Sequence, residues 1–101
     1  MLTHSLVVKI VAKPERTEEV ADFLAGALPL AEQEDFTPVW FALRASEDTF
    51  YVVDAFASDA DRTKHLEGAI ASALMANAET LLAETPSIQP AAVLAAKVTG
   101  S

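Results

Sequence analysis

There is no cysteine in this chain. Disulfides, thiolate metal sites and a thiol nucleophile are therefore excluded. Basic residues are also few: seven Lys and Arg stand against fifteen Asp and Glu, for a net charge of −8. Phosphate binding needs a concentrated basic surface, and these seven are scattered, so no nucleic-acid partner is expected. No apolar run approaches the roughly 20 residues of a membrane-spanning helix, so no membrane partner is expected either. The opening MLTHSLVVKIVAKPE has no basic stretch before its apolar run and no good cleavage site, so no secretory signal is read. A cytoplasmic location is the default expectation. The chain also lacks a glycine-rich phosphate loop, a His-x-x-His pair and a serine in a nucleophile elbow, and its two histidines are His4 and His65. The expectation is a protein without metal or cofactor.

What is present suits one globular domain over residues 1–101: 51% of residues are hydrophobic and 22% charged. The organising stretch runs from Pro38 to Ser58, where two runs rich in aromatic and β-branched residues flank Ser46-Glu47-Asp48-Thr49. That is a hairpin signature. With a four-residue loop, Ala45 faces Phe50 and the ladder ends near Trp40 opposite Ala55. Alternation then puts Val39, Phe41, Leu43, Phe50, Val52, Asp54 and Phe56 on one face, and Trp40, Ala42, Arg44, Tyr51, Val53 and Ala55 on the other. Asp54 is the anomaly, a carboxylate among large apolar groups, and it must find a donor, shift its pKa upward or border a polar cavity.

Around the hairpin, Leu2–Lys13 reads as a strand that is apolar on both faces, which implies cover on both sides. Thr17 can cap a helix carrying Val20, Phe23, Leu24, Ala27 and Ala31 on one face, bent near Ala25–Pro29 by Pro29. Ser58 with Asp61 resembles a capping box opening a second helix from about Asp59 to Ala83, broken near Gly68. A last strand is expected at Ala92–Val98. The order β-α-β-β-α-β predicts a ferredoxin-like α+β fold: one four-stranded antiparallel sheet with both helices on one face. The uncovered face, with Trp40, Tyr51, Val53, Val7 and Val11, calls for a second copy of the chain, a homodimer.

KPERTEEVADFLAGALPLAEQE, WFALR, TFYVVDAFASDADRTKHLEGAIASAL and LLAETP resemble the antibiotic biosynthesis monooxygenase family over roughly residues 5–98, most specifically in VDAF followed by SDADRTKHL. The resemblance implies a dimeric α+β barrel with a pocket between the helices and the sheet, and cofactor-free oxidation of small phenolic or quinol-like aromatics by O₂. A small hydrophobic ligand bound without turnover is the alternative. Family members often carry an acidic residue and then tryptophan at the end of the third strand; here those positions are Asp54 and Phe56. Met75 stands where the haem-degrading branch has its axial histidine, so haem cleavage is not expected.

The catalytic candidates are therefore His65, whose imidazole suits proton abstraction, and Asp54, which can orient it. The competing role for Asp54 is a buried ion pair with Arg44 or Lys64, and for His65 a packing role at the helix start. Phe41, Phe50 and Phe56 are candidate pocket walls or plain core, and Asn77, polar on a buried stripe, is a candidate ligand contact. Trp40 and Tyr51 suit the dimer interface, and His4 is expected to be exposed.

Overall fold

The computed structural model describes residues 1–99. Strand β1 (His4–Val11) leads through a 3-10 turn at Pro14–Arg16 into α1 (Thr17–Gly26) and α2 (Leu28–Glu32). The hairpin β2 (Val39–Arg44) and β3 (Thr49–Phe56) follows, then α3 (Asp59–Leu66), α4 (Ala69–Leu81) and β4 (Ser87–Ala92). The sheet is antiparallel throughout, in the order β2-β3-β1-β4. This is the expected α+β ferredoxin-like arrangement.

Both helical stretches break where the sequence says they should. Pro29 sits in the first turn of α2, where its missing N–H costs nothing, so the chain restarts a helix after Ala27 rather than bending one. Gly68 separates α3 from α4. The Ser58 side chain accepts the Asp61 N–H at 3.1 Å, the capping bond expected of that pair. Thr17 does not cap: the Pro14–Arg16 turn places it inside α1, whose N-terminus has no side-chain cap. The last strand also lies earlier than expected. Ser87–Ala92 forms it, and residues 93–98 continue beyond it without strand pairing. Pro90 is tolerated because β4 is an edge.

The hairpin register differs from expectation by one residue. The Ala45 N–H donates to the Thr49 carbonyl at 2.8 Å, closing a three-residue loop, Ser46–Asp48, and pairing Arg44 with Phe50 and Trp40 with Asp54. A slip of one turns every β2 side chain to the opposite face. Trp40, Ala42 and Arg44 thus face the helices, while Val39, Phe41 and Leu43 join Tyr51, Val53 and Val7 on the open face. Phe41 is 55% exposed and belongs to no pocket beneath the helices. The core lies between sheet and helices, where Leu6, Val8 and Ile10 of β1 and Phe50, Val52 and Phe56 of β3 pack with Val20, Leu24, Leu81 and Leu82. Trp40 spans this cluster and a smaller one of Ala27, Ala31 and Ile70.

Candidate active site

Asp54 reaches the core because strand alternation puts it in line with Val52 and Phe56, and it is 1% exposed. Its neighbours across the ladder are Leu6 on β1 and Trp40 on β2, neither of which carries a charge. The last turn of α3 brings His65 over it. His65 Nε2 stands 3.0 Å from Asp54 Oδ2, an ion-pair distance, but without the alignment of a hydrogen bond. Among the described residues, neither Asp54 oxygen has an aligned donor, and the buried indole N–H of Trp40 directly across the ladder has no acceptor. Arg44 and Lys64, the alternative partners, are engaged elsewhere: Arg44 with Glu18 at 2.9 Å and Lys64 with Asp61 at 3.9 Å.

The other ring nitrogen has a partner that the sequence reading passed over. His65 Nδ1 lies 2.7 Å from Glu34 Oε1, and the Thr37 hydroxyl donates to the same oxygen at 2.8 Å. Glu34 lies in the polar stretch that follows the first helical segment. Nothing within Glu32-Gln33-Glu34-Asp35 distinguishes the one carboxylate that turns inward. The distant signal is Gly68, where a Cβ would come within 2.8 Å of Glu34 Oε2.

A neutral imidazole has one N–H and one lone pair, whereas the imidazolium has two donors. A carboxylate at each nitrogen therefore favours the charged ring. Burial pushes the His65 pKa down, but Asp54 and Glu34 outweigh it, and the net direction is up. Because the two nitrogens face opposite carboxylates, the donors do not converge, and among the described residues no group of three or more His, Cys, Asp and Glu could hold a metal ion.

Of the remaining candidates, Phe56 packs on the His65 ring with centroids 5.4 Å apart. Phe50 is core, 2% exposed, and lies four residues along β3 from Asp54, about 13 Å away, under the Arg44 guanidinium. Asn77 is exposed on α4 and its amide donates to the Ala73 carbonyl, so it is not part of this cluster. His4 is half-buried and bonded to Thr3. Five surface hollows, among them a cleft of about 280 Å³ lined by Phe23, Ala27, Leu30 and Ile70, are lined by neither Asp54 nor His65.

No protein-family model matches the chain, and no curated protein matches it. Solved structures do. The NE2512 protein of unknown function from Nitrosomonas europaea is 50% identical, covers 100% of this chain and 98% of its own, and superposes with a TM-score of 0.97. A "putative antibiotic biosynthesis monooxygenase" from Nitrosomonas europaea is 17% identical over 91% of this chain and 90% of its own, at a TM-score of 0.79. Another so named, from Caulobacter crescentus, is 18% identical over 93% and 92%, at 0.78. The chain belongs to the family of the NE2512 protein, and it carries the fold of the antibiotic biosynthesis monooxygenases.

Proposed function

We propose that the protein is a cofactor-free monooxygenase acting on a small phenolic or hydroquinone-like aromatic with O₂, and that it works as a homodimer joined through the open faces of its sheets. The observation that supports this most is the buried Asp54–His65–Glu34 array. Three ionisable groups withdrawn from water are costly in so small a domain, and such clusters gather where proteins handle protons. His65, with a carboxylate at each nitrogen, holds protons rather than accepting one. The free lone pairs belong to Asp54, whose Oδ1 has no donor among the described residues. In this reading Asp54 accepts the phenolic proton, the imidazolium beside it balances the charge, and the Trp40 N–H donates to the substrate oxygen.

The phenolate is electron-rich enough to reduce O₂ directly. One oxygen atom bonds to a ring carbon that carries hydrogen, para to the hydroxyl in a phenol and ortho in a hydroquinone; the other leaves as water with two substrate hydrogens, the displaced ring hydrogen and a hydroxyl hydrogen. The substrate loses four electrons and becomes a quinone, so no external reductant enters the balance. In this reading the route inward starts at the cleft lined by Phe23, Ala27, Leu30 and Ile70, because Ala27 and Ile70 pack with Trp40, the ladder neighbour of Asp54.

A second reading, a module that binds a small hydrophobic ligand without turnover, is favoured by the closure of Asp54 and His65 to solvent, at 1% and 5% exposure. Oxygen uptake with a panel of phenols and hydroquinones separates the two. The expected outcome is uptake by the wild type that falls about 100-fold or more in Asp54→Asn. Saturable binding without oxygen uptake would favour the module.

A further inference from the structure

We propose that Glu34 is the positioning residue for His65, gripping the imidazole from the side opposite Asp54 so that both ring nitrogens act as donors. The inference deepens the reading of Asp54 as proton acceptor and takes its functional meaning from it, but its geometry stands without a substrate. Glu34 Oε1 is fixed on two sides, by His65 Nδ1 at 2.7 Å and by the Thr37 hydroxyl at 2.8 Å. The side chain that makes these contacts is only 10% exposed. Its other oxygen fits against Gly68, where an added Cβ would stand 2.8 Å away. The φ of Gly68 is −87°, open to any residue, so the glycine is there for space rather than for backbone conformation. Segment 33–38 and the α3–α4 break are thus both shaped around one carboxylate.

The groups facing the ring can be named from every side. Asp54 and Phe56 approach from β3, and Glu34 and Thr37 from the segment before β2. On α3 itself, Arg62 pairs with Asp59 and Lys64 with Asp61. Among the described residues, His65 is the cation paired with Asp54 and with Glu34. Without Glu34 the ring would need only one N–H to serve Asp54, and Nδ1 would keep only the neutral Thr37 hydroxyl at 3.5 Å as a neighbour. With it, the ring nitrogen 3.0 Å from Asp54 Oδ2 carries a proton rather than a lone pair, and the charge of the ring faces both carboxylates.

Imidazole-nitrogen NMR on the full chain tests this without turnover, and with two histidines the spectrum is simple to assign. The expected wild-type result is two protonated His65 nitrogens at pH 6, with the proton kept above the ordinary histidine range. Glu34→Gln, which keeps an acceptor but removes the charge, should lower the His65 titration midpoint by about one unit or more. Gly68→Ala keeps every acid and should move it the same way by displacing Glu34. If Glu34→Gln fails to fold, the wild type and Gly68→Ala decide. A single protonated nitrogen in the wild type at pH 6, or an unmoved midpoint in the folded variants, overturns the inference. Absent oxygen uptake with the midpoint shifts intact would sink the oxygenase reading and leave this one standing.

Discussion

His65 couples the protonation of one ring to the stability of the whole domain. Its folded pKa lies above the unfolded value, so its contribution is fully present below the ordinary histidine range and is lost as pH rises through the folded value. The thermal midpoint should therefore fall as pH rises from the ordinary histidine range through the folded value, and scanning calorimetry of His65→Ala should show that component missing. At fixed pH, His65→Ala leaves Asp54 buried without a counter-charge and should cost about 3–5 kcal/mol. His65→Ala combined with Asp54→Ala should recover part of this. A coupling below about 0.5 kcal/mol in the double-mutant cycle would show that the 3.0 Å approach carries no net interaction. Asp54 was legible in the sequence because a carboxylate interrupts an alternating apolar pattern, and His65 because it is one of two histidines and an imidazole suits proton abstraction. Glu34 was not, since its inward turn depends on Thr37 and Gly68, three and 34 positions further on.

At the scale of elements, local chemistry decided most boundaries and failed where two solutions were equally apolar. Ser58 and Asp61 marked the start of α3 correctly, and removing the cap should show it. Ser58→Ala is expected to cost about 1 kcal/mol, read as a shift of the urea midpoint at unchanged slope. The β2 run Val-Trp-Phe-Ala-Leu, by contrast, is apolar at both parities, so its pattern could not fix which face turns inward. Loop length settled it: Thr49 joins the strand instead of the turn. The final strand, expected at Ala92–Val98, is Ser87–Ala92, and it includes Pro90 because an edge strand tolerates a residue without an N–H.

For the molecule as a whole, the corrected register strengthens the argument for a dimer. In place of Trp40, the open face carries Phe41 at 55% and Leu43 at 48% exposure, beside Tyr51 and Val53. Phe41→Glu places a charge within that apolar patch while leaving the core untouched. Sedimentation velocity at micromolar concentration should show a wild-type dimer and a folded monomeric variant; a wild-type monomer would remove the basis for the assembly. The same register has a practical consequence. Trp40 is the sole tryptophan of the chain, and it is wedged between the two core clusters with its N–H unpartnered beside a carboxylate. Its emission therefore comes from one place, without contribution from any second indole. A molecule entering at Ala27 and Ile70, a proton leaving His65 or a substitution at Glu34 would each change the surroundings of that single fluorophore. The protein thus carries its own optical gauge at the position where the chemistry is proposed.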